Sequence, residues 1–314
     1  MKIRAWLITI VILLIIAAIT FFPVTVTHTV TVASNFDNSY RVLSNLNEWQ
    51  KWNPQLKEIC TGDYSKKYLK DKKEQGIIFS SGSNSISIIK PIPLSYYVAG
   101  SLNNNLVSYN LILIPSSSTN SVQVQVLEKE KFLNHFLAGT DSSEGQKALG
   151  SLKKFLENTE NVYGFNIKTE NVIDTVFAVY ECATDSANLF TTLNENFKLI
   201  DNYIQQHHLE KKGFYSVSYS AHQDSLHLIL GIPVNKHAET SGAIHCVDIP
   251  KGKMLTGFYD GKFLNKRTIY ISFARYATDH YFENVGAPFE SYINNILPSS
   301  DTSTVKFKFY YPRL

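Results

Sequence analysis

The chain has 314 residues, of which 44% are hydrophobic and 13% aromatic, with a formal net charge of +3. This length predicts two domains, and the hydrophobic fraction is typical of a globular protein. Lys2 and Arg4 precede the first apolar run, leaving 28 of the 30 basic residues against 27 acidic residues in the remainder. A nearly neutral remainder without a long Lys/Arg cluster disfavours DNA or RNA binding, which needs a cationic face. We therefore predict no nucleic-acid partner.

The first element in chain order is the run from Ala5 to Phe22, which contains no charged residue. At about 1.5 Å per residue, a helix of this length nearly spans a hydrocarbon core of about 30 Å. A cleaved signal peptide and a buried soluble helix are the alternatives, but no small-x-small cleavage site follows in FFPVTVTHT. We predict that residues 1–23 form a single-pass membrane anchor.

Charge around this run predicts its orientation. Lys2 and Arg4 stand before it, whereas no Lys or Arg occurs between Phe22 and Arg41. Positive residues stay on the cytoplasmic side, so the amino terminus is expected in the cytoplasm. The remainder of the chain then lies outside, which in a bacterium means the periplasm or the cell exterior.

Residues 24–161 are predicted to form the first domain. Valines alternate with threonines over Val24–Val32, a period typical of a strand. The segment FDNSYRVLSNLNEWQKWNP predicts a short helical stretch ending at Asn53 and Pro54, and further alternating segments are separated by turns such as SSGSNS. Asp141 and Glu144 then form a capping box before a long helix. The order favours an α+β domain in which an antiparallel sheet grips that helix.

Residues 167–314 are predicted to form the second domain. TVFAVYECAT reads as a strand, and apolar residues at helical spacing follow from Leu189 to about Leu209. GFYSVSYSAH, SLHLILGIPV and AIHCVDIPKGKMLTGFYDG are strand candidates, a helix carries Ile269 and His280, and the chain ends with PFESYI and TVKFKFYY. The order of strand, helix and strands occurs twice, which indicates a weak internal duplication.

The first domain resembles the START-like, polyketide-cyclase-type superfamily (SRPBCC, helix-grip). The resemblance rests on SNFDNSYRVLSNLNEWQKWNPQL, with Trp49, Trp52 and Pro54, and on ALGSLKKFLE as the closing helix. It implies a cavity between sheet and helix for lipids or other apolar ligands. We interpret the two tryptophans as core residues, and an aromatic lid over such a cavity is the alternative.

The second domain resembles the gyrase-inhibitor-like (GyrI-like) effector-binding domain, also found attached to AraC-type and MerR-type regulators. GFYSVSY, DIPKGKMLTGFYDGKF and PFESYINNILPSSDTSTVKFKFYYPRL carry the resemblance. It implies a pseudo-twofold duplicated α+β domain with a small-molecule cavity between its halves, in which the glutamate of P-x-E-x-Y faces the ligand. That residue is Glu290. The chain departs from the family in having Tyr259, Gly261 and Phe263 where His-x-Gly-x-Tyr is common, and an anchor and another domain replace the DNA-binding segment.

Other residues give no sign of a metal site or a catalytic nucleophile. Cys60, Cys182 and Cys246 are odd in number and widely spaced, which excludes a disulfide framework and a CxxC motif. Adjacent His207 and His208 would point about 100° apart on a helix, and no further ligand completes a set. There is no G-x-S-x-G elbow. We predict no metal, no cofactor and no catalytic residue.

The candidate binding site is centred on PFESYI. Alternation along a strand places Glu290 and Tyr292 on one face, which either meets solvent or lines a pocket. A carboxylate in an aromatic cavity is unfavourable unless paired, so it suits a cationic or hydrogen-bond-donating ligand. The candidate ligand-binding residues are Glu290, Tyr292, Tyr259, Tyr215 and Tyr219.

The function predicted from these features is that of a membrane-anchored protein binding a small organic ligand, cationic or apolar. One alternative is a hydrolase of small electrophilic compounds in which Glu290 acts as a general base. Another is a lipid-handling or envelope protein that acts through its first domain.

Overall fold

The computed structural model describes most of the chain outside the amino-terminal run. Of the predicted anchor Ala5–Phe22, only four residues are described, and all four are helical. In the part of the chain that is described, no helix is both long and apolar enough to cross a membrane. The chain divides into two compact units, Met1–Asn158 and Thr159–Leu314. The described residues are 6, 10, 11, 13, 23–70, 75–118, 120–131, 143–173, 175–222, 225–249 and 251–313.

The first unit is an antiparallel sheet with a helix against it. The elements are β1 Pro23–Val32, α1 Phe36–Ser44, a 3₁₀ helix Leu46–Lys51, α2 Pro54–Ile59, β2 Ser65–Lys70, β3 Gln75–Ser81, β4 Asn84–Ile92, β5 Ser95–Leu102, β6 Asn105–Pro115, β7 Val122–Lys131 and α3 Glu144–Leu156. The seven strands follow the order β1-β7-β6-β5-β4-β3-β2, and α3 contacts β1, β6 and β7. The α+β class predicted for this region is confirmed.

Two helix boundaries in this unit differ from the prediction. Pro54 begins α2 instead of ending the preceding helical stretch, and the Asn53 side chain caps α2 by accepting from the Leu56 N–H at 3.0 Å. Proline suits the first helical position because the N–H it lacks has no partner there. Ser143 caps α3 by accepting from the Gln146 N–H at 3.2 Å, whereas the predicted cap Asp141 lies outside the described residues.

Trp49 and Trp52 belong to the core of the first unit. Both are fully buried, and their ring centroids lie 4.6 Å apart. The Trp49 ring also lies 5.4 Å from that of Tyr96, and its N–H donates to the Leu43 carbonyl at 2.8 Å. This packing agrees with the interpretation of the two indoles as core residues.

The second unit is built on one antiparallel sheet of eight strands. The elements are α4 Thr159–Tyr163, β8 Lys168–Val172, β9 Thr175–Thr184, α5 Leu189–Gln206, β10 Ser216–His222, β11 Ser225–Val234, β12 Ile244–Ile249, β13 Gly252–Lys262, a 3₁₀ helix Phe263–Asn265, α6 Arg267–Asp279, β14 Phe289–Tyr292, a 3₁₀ helix Ile293–Asn295 and β15 Thr304–Pro312. The strands follow the order β12-β9-β11-β10-β14-β15-β13-β8, and the two long helices, α5 and α6, bury apolar residues on one side each.

The second unit repeats one topology twice. β8-β9-α5-β10-β11 and β12-β13-α6-β14-β15 are two halves of the same element order. The first strand of each half pairs with the second strand of the other half, β8 with β13 and β12 with β9. The halves also pair at the centre of the sheet, where β10 lies beside β14. This arrangement agrees with the internal duplication expected from the order of predicted elements, and it separates the single strand candidate AIHCVDIPKGKMLTGFYDG into β12 and β13.

Candidate functional site

Strand β14 places Glu290 in the interior of the second unit. β14 lies between β10 and β15, so both of its edges are paired within the sheet. Glu290 stands opposite Val217 on β10 and Phe309 on β15, two residues that are fully buried. The exposed fraction of Glu290 itself is 0%. The alternative in which this carboxylate faces solvent is therefore wrong.

Four side chains surround the Glu290 carboxylate, and together the five residues form what we call the Glu290 cluster. The Lys266 ammonium donates to Oε1 at 2.8 Å and the Tyr270 hydroxyl donates to the same oxygen at 2.6 Å. The Tyr292 hydroxyl donates to Oε2 at 2.5 Å, and the Tyr219 hydroxyl lies 3.1 Å from that of Tyr292. A buried carboxylate is tolerated only when it is paired and hydrogen-bonded in this way.

The start of helix α6 supplies the cation of the cluster. Lys266 immediately precedes α6, and Tyr270 lies four residues further on, so both project from the same side of the helix. The Lys266 Nζ lies 3.3 Å from the ring centroid of Tyr219 and 4.2 Å from that of Phe263. Both distances are within the range of cation–π attraction. One carboxylate and two aromatic faces therefore hold the ammonium group.

Burial controls protonation in the cluster. It raises the pKa of Tyr219 and Tyr292 well above the ordinary value, and the charge of Glu290 raises both further. Burial and then Glu290 likewise raise the pKa of Tyr270. Burial lowers the pKa of Lys266, while the charge of Glu290 opposes that shift. The three phenols therefore stay protonated at neutral pH. Tyr270 and Tyr292 donate to the carboxylate, and Tyr219 bonds to the hydroxyl of Tyr292.

A cavity of about 310 Å³ adjoins the cluster. This volume is at the lower end of the range for small-molecule sites, about 300–1,000 Å³. Lys266, Tyr219 and Tyr270 line the cavity, and Lys266 and Tyr270 bond to the buried Glu290 behind it. The remaining lining residues combine apolar walls with one residue of each charge, and they are Leu189, Leu226, Phe263, Leu264, Arg267 and Asp301. The cavity can therefore hold a compact organic molecule with an apolar body.

The structure brings three of the five predicted ligand-binding residues together: Glu290, Tyr292 and Tyr219. Tyr259 stacks instead on Phe307, with ring centroids 4.9 Å apart. Its hydroxyl donates to the Lys262 carbonyl at 2.6 Å. Burial and, to a smaller extent, Glu290 raise the pKa of Tyr259. Tyr259 is thus a neighbour of the cluster that does not bond to its carboxylate.

Tyr215 is engaged at a separate place. Its ring stacks on Phe197 of α5 at a centroid distance of 4.3 Å, and its hydroxyl donates to Asp201 at 2.6 Å. Asp201 in turn pairs with Lys211 at 2.7 Å. Burial, with the bond to Asp201, raises the pKa of Tyr215 to about 12. These contacts fasten Tyr215 to α5, and the Glu290 cluster does not include it.

Sequence reasoning missed Lys266 and Tyr270. Their spacing of four residues is a signal for a shared helix face, but the neighbouring apolar residues Ile269 and Phe273 defined the predicted helix. Lys266 and Glu290 are 24 residues apart, on different elements. No local pattern joins a helix start to a strand at that separation.

Metal ligation and disulfide formation have no support in the described ranges. No group of three or more His, Cys, Asp or Glu side chains in them is placed to hold a metal ion. Cys60, Cys182 and Cys246 are free thiols. The Glu290 carboxylate is already bonded to one ammonium and two phenol hydroxyls.

Comparison with known proteins gives distant structural likenesses only. No family model and no curated protein matches this chain. The EcmrR C-terminal domain is 14% identical over 48% of this chain and 98% of that one, with a TM-score of 0.41. EcmrR in an EcmrR–DNA complex is 15% identical over 48% of this chain and 57% of that one, also at 0.41. The di-domain ARO/CYC protein StfQ from the steffimycin biosynthetic pathway is 11% identical over 92% and 85%, at 0.33. Values this low do not assign the chain to a family.

Proposed function

We propose that this chain is a membrane-anchored protein whose second unit binds a small organic ligand at the Glu290 cluster. The observation that carries the proposal is a carboxylate with 0% exposure, held by an ammonium and two phenols beside a cavity of about 310 Å³. Removing a carboxylate and an ammonium from water is unfavourable, and a hydrophobic pair of similar volume is often as stable. Titratable groups with strongly shifted pKa values beside a cavity are candidates for a functional site.

The lining of the cavity indicates the chemistry of the ligand. Carboxylate oxygens attract cations and hydrogen-bond donors, and the rings of Tyr219 and Phe263 add attraction for an organic cation. Leu189 and Leu226 offer aliphatic walls for an apolar body. The ligand proposed is thus an organic compound with a charged or donating group at one end.

The ligand site is tested by a thermal-stability screen of the full chain against organic cations, neutral aromatics and lipids. Glu290→Gln keeps the size of the side chain and removes its charge. Glu170→Gln is a matched control, because Glu170 also pairs with a lysine, Lys308, at 2.6 Å, outside the Glu290 cluster. A ligand that binds the folded state raises its stability. Compounds should stabilise the native chain and the control but not Glu290→Gln, and equal stabilisation of all three would place the ligand elsewhere.

Membrane anchoring is proposed from the uncharged run Ala5–Phe22 and the basic residues Lys2 and Arg4 before it. Two measurements test it in a bacterial host. The chain should remain in the membrane pellet after an alkaline carbonate wash, and alkaline phosphatase fused after Leu314 should be active. Release into the supernatant would contradict the anchor, and an inactive fusion would contradict the proposed orientation.

A further inference from the structure

Lys266 stands where an organic cation would contact the Glu290 cluster. Its Nζ lies 2.8 Å from a Glu290 oxygen and 3.3 Å from the ring centroid of Tyr219. A ligand cation attracted by the carboxylate and the ring would make the same two contacts. Two like charges at contact distance repel strongly where the dielectric constant is low. The site therefore cannot hold a ligand cation while the Lys266 ammonium remains in place.

We infer that Lys266 is a tethered competitor, and that the ligand of the Glu290 cluster is an organic monocation that displaces the Lys266 ammonium from Glu290 and Tyr219. The inference rests on the function proposed above and identifies the class of ligand. One carboxylate balances one positive charge, so an incoming monocation replaces the ammonium without changing the net charge of the cluster.

The position of Lys266 allows this exchange. Its side chain is 15% exposed and lines the cavity, so a rotation about its flexible stem would bring the ammonium to water. Asp301 lines the same cavity and offers a carboxylate near its wall. The Tyr270 and Tyr292 hydroxyls hold Glu290 through bonds that do not involve Lys266. Exchange therefore need not break the rest of the cluster.

Competition by Lys266 makes the site selective. A small hydrophilic cation gains nothing that the ammonium does not already have, because both lose hydration and meet the same carboxylate. An organic cation also buries apolar surface against Leu189, Leu226 and Phe263. A neutral molecule of the same shape gains the apolar contacts but cannot replace the charge. Competition by Lys266 thus restricts binding to cations that have an apolar body.

Calorimetric titration of the detergent-solubilised full chain with phenyltrimethylammonium and its neutral isostere tert-butylbenzene tests the competition. Lys266→Met removes the tethered charge and keeps the length of the side chain. We expect this variant to bind phenyltrimethylammonium about tenfold more tightly than the native chain, a gain of about 1.4 kcal/mol. The affinity for tert-butylbenzene should change by less than about twofold, because this neutral molecule does not compete with the ammonium for the carboxylate. Glu290→Gln should lose the preference for the cation.

The outcomes separate this inference from the proposed function. Unchanged or weaker cation binding by Lys266→Met, with binding still lost in Glu290→Gln, overturns the competition and leaves the ligand site standing. Equal cation binding by the native chain and Glu290→Gln overturns the proposed function itself.

A second measurement needs no variant. Acetylation of lysines in the native full chain is followed by mass spectrometry with and without saturating phenyltrimethylammonium. Displacement predicts that Lys266 reacts faster when the cation is bound. Lys308, paired with Glu170, is the internal control and should react at the same rate. Slower reaction of Lys266 in the presence of the cation would show that the ligand covers the ammonium instead of displacing it.

Discussion

Replacing Lys266 by methionine should destabilise the second unit by about 3–5 kcal/mol, the usual cost of leaving one member of a buried ion pair without its partner. Glu290 is 0% exposed, and methionine in place of Lys266 leaves its charge without a cation. Tyr270 and Tyr292 keep two hydrogen bonds to the carboxylate, which places the expected loss near the lower end. The double variant Lys266→Met/Glu290→Gln removes both charges and should recover most of the lost stability.

The stability of each unit can be followed separately. The three tryptophans, Trp6, Trp49 and Trp52, all precede Asn158, so tryptophan fluorescence in urea follows the first unit. Hydrogen exchange of amides in β14 and β15 reports on the second unit, because β14 carries Glu290 and β15 pairs with it. Lys266→Met should accelerate exchange in β14 and β15 and leave the fluorescence transition in place.

Two outcomes would refute this prediction. A change below about 0.5 kcal/mol, the range of ordinary surface substitutions, would refute the reasoning that a buried ion pair holds the cluster together. So would a double variant less stable than Lys266→Met alone.

Three further predictions concern other parts of the chain. Burial lowers the pKa of His280 below its ordinary 6.5, so the unfolded state binds more protons there and stability should fall as the pH drops from 7 to 5. His280→Phe should reduce that slope in a melting experiment, and an unchanged slope would exclude His280 as its source. Trp49→Ala should destabilise the first unit by about 3–5 kcal/mol, measured by urea denaturation, whereas a loss below 1 kcal/mol would contradict the core assignment. Gly100→Ala should also destabilise the first unit, because the new Cβ would lie 1.9 Å from the Ser85 carbonyl oxygen, and a native-like melting temperature would contradict that contact.

Period-two alternation predicted several of the strands and the shared face of Glu290 and Tyr292. Residues two apart on a strand lie on the same face, and the Tyr292 hydroxyl does donate to Glu290. The same rule could not say which helix covers each residue. Tyr215 immediately precedes β10, and its hydroxyl donates to Asp201 of α5. Strand periodicity thus fixes a face and leaves the individual contacts open.

The partner of Glu290 could not be predicted, because it depends on tertiary structure. Lys266 reaches the carboxylate only when the start of α6 lies over β14, and nothing in the local sequence encodes that crossing. The helix boundary at Pro54 is a different case, since proline at a helix start is a known local preference. Reading Pro54 as an end ignored the capping side chain of Asn53 just before it.

Direct mapping of a bound ligand tests the central claim most clearly. A photoreactive derivative of the organic cation that most stabilises the full chain would be cross-linked to it, and the modified residues identified by mass spectrometry. Binding at the Glu290 cluster predicts modification of residues that line the adjoining cavity, such as Tyr219, Phe263 and Tyr270, and its loss in Glu290→Gln. Modification confined to the first unit, or unchanged in Glu290→Gln, would contradict the account.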